Sequence, residues 1–358
     1  MKSLNVRVQR MSSQIPTFQQ LGWKPFFQQQ LSLEDLTDYS VARVIEHHRD
    51  RVVVISEQGQ QSLTFTVNDE KICVGDWLLF DDQLRVHRSL ERQSLFERKA
   101  PGSKVSTQLI ASNIDTVMIV SSLNHDFSLS RIERYLTLAR EAMVEPVILL
   151  TKADLCEDAD SKREQVQELD SMLEVHTLNA LDEQDIKSLE PYCRNGKTIA
   201  FMGSSGVGKS TLVNNLLGFE SQQTSGIRED DSKGRHTTTH RALKVMSNGG
   251  ILMDTPGMRE LQLGSSEQGV SETFAEITEL AQQCRFSDCS HGSEPGCAVQ
   301  RAIKAGELAE RRLHSYQKLL KEQALNGATL AEKRSKDKAL GKLINSTQNA
   351  SKQFKKGY

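Results

Sequence analysis

A chain of 358 residues is longer than one ordinary domain and suits two or three, and a hydrophobic share of 37% is enough for cores of that size. With 45 Lys and Arg against 47 Asp and Glu, the formal net charge of −2 excludes a protein that holds nucleic acid through bulk charge, so any such surface must be local. No apolar run approaches the ~20 residues of a membrane helix, and the stretch from Met1 to Arg7 lacks the apolar core of a signal peptide. A cytoplasmic protein with no membrane partner is expected, and six cysteines are too few for a disulfide scaffold.

Residues 1–38 carry Phe18, Trp23, Phe26 and Phe27 among many glutamines and read as a partly ordered arm. From 39 to about 104 the texture is β. Residues 40–45, 51–55, 62–67, 74–80 and 84–90 are short runs rich in β-branched side chains, separated by polar turns such as 57–60. Five short strands in ~60 residues suit a small closed barrel, of OB or SH3-like type. Arg85, His87, Arg88, Arg92, Arg98 and Lys99 either follow a phosphate backbone or form a solvated face; both readings fit the residues.

Residues 105–265 read as α/β. Strands are predicted at 116–120, 146–150, 174–178 and 197–202, and helices at 129–142 (capped by Ser128 or Ser130), 161–173 and 211–217. Asn248-Gly249-Gly250, between runs at 242–246 and 251–254, is a hairpin signal. Alternating strands and helices imply a mostly parallel sheet. From 266 to 358 the chain turns helical and polar, with helices predicted at 299–325 and 329–344. Residues 301–358 hold fourteen Lys or Arg against five Asp or Glu, a basic tail that suits solvent or RNA phosphates.

The chemistry centres on Gly203-Ser204-Ser205-Gly206-Val207-Gly208-Lys209-Ser210-Thr211, which fits G-x-x-x-x-G-K-[ST] between a predicted strand and helix. Such a turn points backbone N–H groups inward at a helix N-terminus, where a phosphate is held. Gly206 and Gly208 let the backbone approach, Lys209 reaches the β- and γ-phosphates, and Ser210 offers a hydroxyl to Mg²⁺. Thr151-Lys152-Ala153-Asp154 follows a buried strand and resembles the N/T-K-x-D element that reads guanine. The Asp154 carboxylate accepts from N1–H and the exocyclic amine, a pair adenine does not offer, and the Lys152 stem covers the base. Thr151 stands where Asn is commoner and keeps only a hydroxyl, so weaker support for that loop is expected. Asn179-Ala180 would bring the Ala180 N–H to the guanine O6.

Asp254-Thr255-Pro256-Gly257 resembles D-x-x-G: Asp254 would hold Mg²⁺ through water and the Gly257 N–H would sense the γ-phosphate. In the run 237–239 either Thr238 or Thr239 supplies the switch hydroxyl to Mg²⁺. Met258 occupies the place of the usual water-orienting glutamine, so intrinsic hydrolysis is expected to be slow and to need help. His236 is the nearest side chain able to position a water; the alternative is that it anchors the loop. The order is unusual: the base reader at 154 precedes the phosphate loop at 203, and D-x-x-G at 254 comes last. That is a circularly permuted P-loop GTPase domain, in which the second switch leads directly into the C-terminal module.

Cys284, Cys289, His291 and Cys297 offer three thiolates and one imidazole within fourteen residues, spaced C-x₄-C-x-H-x₅-C. Cys₃His is a closed tetrahedral set, so one structural Zn²⁺ is expected rather than a catalytic one. Cys73, Cys156 and Cys193 are isolated. The fold class expected is therefore multidomain α/β, with an N-terminal OB-like β-barrel, the permuted GTPase domain and a C-terminal helical zinc-binding domain.

These motifs in this order resemble the family of ribosome small-subunit-dependent GTPases called RsgA or YjeQ, over nearly the whole chain. The match rests on Gly203 to Ser210, on Gly234-Arg235-His236-Thr237-Thr238-Thr239, on 254–257 and on the four zinc positions. The resemblance implies a late-acting factor in small-subunit maturation that binds rRNA near the decoding region as a monomer. It implies hydrolysis of GTP to GDP that is stimulated by the subunit and coupled to release, and a role for His236 in that hydrolysis. Thr151 and Asn179 depart from the family pattern. Two rival readings are a P-loop ATPase or kinase, which the phosphate loop alone fits equally, and a passive RNA-binding protein.

Overall fold

The structure is a computed structural model and describes residues 16–48, 50–64, 71–99, 107–217, 242–246, 249–254, 261, 263 and 268–327. The aromatic residues of the arm cannot bury one another, so they dock on the barrel. Trp23 meets Trp77 edge-on with ring centroids 4.7 Å apart, and Phe18 and Phe27 reach the same indole at 5.9 Å. Two short helices follow, α1 (Pro25–Gln28), with proline in its first turn, and α2 (Leu33–Asp38). A capping box opens α2: the Asp35 N–H donates to Ser32 Oγ at 3.1 Å, and the Ser32 N–H donates to Asp35 Oδ2 at 2.9 Å.

Strands β1 (Ser40–His47), β2 (Arg51–Ser56), β3 (Gly59–Thr64), β4 (Trp77–Phe80) and β5 (Val86–Ser89) follow. β1 pairs antiparallel with both β2 and β4, β2 with β3, and β4 with β5. A parallel bridge from Thr64 to Arg85 joins the end of β3 to the start of β5 and completes the ring. Alternate residues such as Val52, Val54, Ala42 and Val44 fill its interior with Leu63, Leu78 and Phe80. The third strand starts at Gly59, not at 62, because Ser56 pairs with Gly59 across Glu57 and Gln58, and Gly59 takes the positive φ, 101°, of a turn that ends in a glycine bulge. A hairpin of β6 (Leu95–Lys99) and β7 (Thr107–Ser112) was not expected; Leu95 and Phe96 are the only apolar residues of β6, too few to signal a strand.

The α/β region comprises β8 (Thr116–Ser122), α3 (Leu129–Glu141), β9 (Glu145–Thr151), α4 (Ala159–Gln167), β10 (Glu174–Leu178), α5 (Glu183–Lys187), β11 (Thr198–Gly203), α6 (Lys209–Leu217), β12 (Ala242–Val245) and β13 (Ile251–Asp254). The strand order is β10-β9-β8-β11-β13-β12, with parallel pairing everywhere except between β12 and β13. β8 and β9 are near-continuous buried apolar runs, as a sheet covered on both faces requires. Register brings the ends of β8, β9, β10, β11 and β13 to one edge: Ser122 lies beside Thr151, Thr151 beside Leu178, and Gly203 beside Val120. β12 also pairs with β1, Ala242 opposite Glu46, so the sheet passes without a break into the barrel.

The C-terminal part has α7 (Gln268–Thr273), α8 (Ala275–Ala281), α9 (Ala298–Ala305) and α10 (Glu310–Gly327). The single helix expected at 299–325 is two. Gly306 adopts φ 76°, and the Glu307 N–H turns back to the Ala302 carbonyl at 3.0 Å, which ends α9. The helix expected at 329–344 lies outside the described residues. α3 packs against α7 so closely that a Cβ on Gly269 would sit 2.5 Å from the Thr137 carbonyl oxygen. Across α3 and α10 the fully buried Glu133 accepts from Arg311 and Arg312, each at 2.8 Å, while Arg312 also pairs with Glu276 and lies over Phe274.

Candidate nucleotide site and metal centre

The phosphate loop is built by its neighbours as much as by its own residues. β11 ends on Gly203, φ 145°, where any Cβ would collide with the Val120 carbonyl oxygen of the adjacent strand. Gly206 and Gly208 take φ of 78° and 98°, left-handed values that side chains rarely adopt. α6 begins at Lys209, two residues before the predicted start, so Ser210 and Thr211 belong to its first turn. The Lys209 ammonium donates to the Gly203 carbonyl at 2.8 Å and to that of Ser204, curling across the mouth of its own loop. Ser205, Gly206 and Ser210 are exposed and Val207 is buried, so the loop presents backbone and hydroxyls outward on an apolar anchor.

Thr151, at the end of β9, is fully buried, and its hydroxyl donates to the Val207 carbonyl at 2.7 Å. This single hydroxyl ties the turn at 151–154, read in the sequence as the guanine reader, directly to the loop at 203–208. Lys152 then takes φ 62°, and a 3₁₀ turn over Ala153–Leu155 leaves the Asp154 carboxylate exposed at the sheet edge. On the neighbouring loop Asn179 Oδ1 accepts from Leu181 N–H at 3.0 Å, and its own N–H donates to Asp185 at 2.6 Å. Asn215 of α6 donates to the Ala180 carbonyl at 2.6 Å. Sequence reasoning missed Asp185 and Asn215. Asn215 acts on a loop 35 positions away, and Asp185, though only six residues past Asn179, belongs to no motif.

Asp254 closes β13, its backbone opposite Ala242. Gly234 to Thr239, which include His236, Thr238 and Thr239, and also Gly257, lie outside the described residues. Two of the basic residues read as possible phosphate contacts have other work. Arg88 donates to the Gln30 carbonyl at 2.9 Å and Asp35 at 2.8 Å, fastening the arm; Arg92 holds the buried Asp76 carboxylate at 2.7 and 2.8 Å. Arg85 and Arg98 have partners as well, Asp81 at 2.7 Å and Gln108 at 3.1 Å, though Arg85 stays exposed, and the exposed His87 stacks on Tyr39 at 4.0 Å.

Cys284, Cys289, His291 and Cys297 converge with all donor atoms within 4.8 Å of one another. Cys284 Sγ lies 3.9 Å from Cys297 Sγ, and His291 Nδ1 lies 3.7 and 3.6 Å from the two. A tetrahedron with metal–sulfur arms of about 2.3 Å has edges of about 3.8 Å, so the cluster can hold a metal ion. Cys297 caps α9 and accepts from the Gln300 N–H at 3.4 Å; Cys284 accepts from the Ala298 N–H at 3.4 Å. Burial opposes the Cys284 thiolate, but these backbone donors outweigh it and bring the thiol below its usual range. Burial also lowers His291, favouring the neutral imidazole a metal needs. His291 itself sits at φ 59°, and Gln300 Nε2 holds its carbonyl at 2.8 Å.

The RsgA GTPase family model matches residues 89–264. Over 97% of this chain and 99% of its own length, the small ribosomal subunit biogenesis GTPase RsgA 2 of Vibrio vulnificus (strain CMCP6) is 56% identical. The chain belongs to the RsgA GTPase family. The RsgA of Mesorhizobium japonicum is 46% identical over 89% of this chain and 93% of its own. Among solved structures, YjeQ from Thermotoga maritima superposes with a TM-score of 0.60 at 27% identity, covering 81% of this chain and 100% of that one. YloQ, described as a circularly permuted GTPase, gives 0.57 at 24% identity over 81% and 97%. The fold is thus the permuted RsgA-type arrangement, mixed α/β about one large sheet, as the order of motifs in the sequence implied.

Proposed function

We propose that this chain is a GTP hydrolase that acts on the small ribosomal subunit during its maturation and leaves when GTP has become GDP. One observation carries the reading: the Thr151–Val207 hydrogen bond joins base reader and phosphate loop at one sheet edge in permuted order, in a chain 56% identical to a subunit-biogenesis GTPase. Asp154 selects guanine, with Lys152 and Ala153 setting its turn. Backbone N–H groups from Gly203 to Gly208 receive the phosphates, Lys209 swings from its own carbonyls to the β–γ bridge, and Thr211 continues the helix behind them. The exposed Ser210 hydroxyl and the end of the neighbouring strand β13 at Asp254 suit Mg²⁺, which when bound offsets charge on the phosphate oxygens. Thr238 or Thr239 completes that set, the Gly257 N–H meets the γ-phosphate, and His236 orients the attacking water in place of the glutamine replaced by Met258.

The closed ring of β1–β5, with its parallel contact between β3 and β5, supports an OB-type barrel within residues 39–104. It also supports a role for exposed Arg85 and His87 on rRNA. The Cys₃His donor set and its edge lengths support one structural Zn²⁺ in a module of residues 266–358, after a GTPase domain of residues 105–265. Among the described residues no helix is long and apolar enough to cross a membrane.

Phosphate release from GTP is the test. Purified small subunits are expected to raise turnover at least about tenfold; an unchanged rate would sink the ribosomal assignment. Elemental analysis of freshly purified protein is expected to give one zinc per chain, and metal-free yet fully folded protein would refute the structural ion.

A further inference from the structure

The phosphate loop has a second support that no motif announces. Arg131, in the first turn of α3, donates through Nη1 to Ser204 Oγ at 2.7 Å and to Asp126 Oδ2 at 2.7 Å. Asp126 is itself fixed. An Asx turn at the end of β8 holds its N–H on Asn124 Oδ1 at 3.0 Å, and Ser122 Oγ donates to the same oxygen at 2.8 Å. Beneath the loop, Val120, Ile132, Tyr135 and Val207 form the apolar side of a small cleft that Ser121, Arg131 and Ser204 complete, while the outer parts of Arg131 and Asp126 stay half-exposed. Ser204 is thereby held twice, its carbonyl by Lys209 and its hydroxyl by Arg131.

The same helix is bolted to the C-terminal module on either side of Arg131. Ser130 Oγ meets Ser315 Oγ at 2.9 Å, and Arg134 donates to Glu322 at 2.6 Å and to the Leu261 carbonyl at 2.9 Å. Residues three apart share a helix face. Arg131 at the phosphate loop and Arg134 at the segment just beyond D-x-x-G are therefore one rigid turn apart. Any displacement of α10 is carried to Ser204 through a single turn of α3.

We propose that Arg131 is a positioning residue for the phosphate loop, and that α3 carries the placement of α10 to that loop through the Arg131–Ser204 bond. The bond pre-forms the phosphate cradle, so its loss lowers the fraction of protein competent to bind and weakens affinity in proportion. The inference rests on reading 203–211 as the nucleotide site.

The test is GDP titration of the full chain with four single variants and two double ones. Arg131→Met, which keeps length and removes the donors, is expected to weaken GDP binding about five- to tenfold and to raise the KM for GTP alike. Unstimulated kcat should stay within about twofold, the pattern for binding shared by ground and transition states. Arg131→Lys is expected to recover most of the loss. Ser204→Ala should match Arg131→Met, and the double variant should be no worse than either. Glu322→Gln, remote from the nucleotide, should weaken GDP binding in the wild-type background and have no effect in Arg131→Met. Additive single variants, an equal effect of Glu322→Gln in both backgrounds, or wild-type affinity in Arg131→Met would each overturn the inference alone. Wild-type protein that binds no GDP would overturn the nucleotide site and this inference with it.

Discussion

Thr151 illustrates how one hydroxyl can stand in for a larger amide. Asparagine would offer two donors and an acceptor here, but the bond that matters runs from a buried donor to the Val207 carbonyl, and threonine supplies that donor. Thr151→Val keeps the shape and leaves the carbonyl without its partner, a loss of about 1–2 kcal/mol. The bond belongs to the folded chain, so the melting temperature is expected to fall by a few degrees, and GDP affinity measured by titration is expected to fall about fivefold as the loops loosen; an unchanged affinity would separate the two loops energetically. The sequence reading noted the hydroxyl but not its partner, because the distance from residue 151 to residue 207 is a property of the sheet. Arg131 and Ser204, 73 positions apart, escaped notice for the same reason.

Among the elements, α2 is the one whose stability is most plainly tied to a single charge. Its capping carboxylate, Asp35, accepts from the Ser32 backbone and from Arg88, which lower its pKa from 3.8 to about 2. A carboxyl depressed on folding stabilises the folded state above its unfolded pKa and loses that contribution as pH falls through the folded value. Arm docking is therefore expected to weaken between about pH 4 and pH 2. Both tryptophans of the chain report on it, since Trp23 and Trp77 are in contact. Their fluorescence should show an acid step that is missing in Asp35→Asn; a step unaltered by that substitution would assign it elsewhere. β8 and β9, as continuous apolar runs, and α3, by its helical periodicity, were legible from the sequence because burial dictates both patterns. The break at Gly306 and the β6–β7 hairpin were not: the first depends on one left-handed residue within a helical pattern, the second on pairing between weakly apolar segments.

For the whole molecule, the junction of α3, α7 and α10 rests on a buried charge cluster. Glu133 Oε1 takes both Arg311 and Arg312, while its Oε2, also buried, has no hydrogen-bond partner. Such a cluster specifies how two parts meet more than it stabilises them, because desolvation offsets much of the attraction. Removing one member is another matter. Glu133→Ala leaves the largely buried Arg312 with the partly exposed Glu276 as its remaining carboxylate, beside the Thr273 carbonyl, and is expected to cost about 3 kcal/mol in denaturant-measured stability. A loss below about 1 kcal/mol would mean the guanidiniums reach water once the carboxylate is gone. The permuted order was legible throughout, since three motifs and their sequence positions define it; how the modules lock together was not, because that depends on charges far apart in the chain.

The pairing of β12 with β1 also bears on how the chain is made. Glu46 emerges early in synthesis, and its partner Ala242 follows roughly two hundred residues later. Throughout that interval the end of β1 that runs past β4, around Glu46, lacks its partner on that side, a short template for pairing with another chain. Nascent protein is thus most exposed to aggregation between completion of the barrel and completion of the phosphate-loop sheet, and slowed elongation over that span lengthens the exposure.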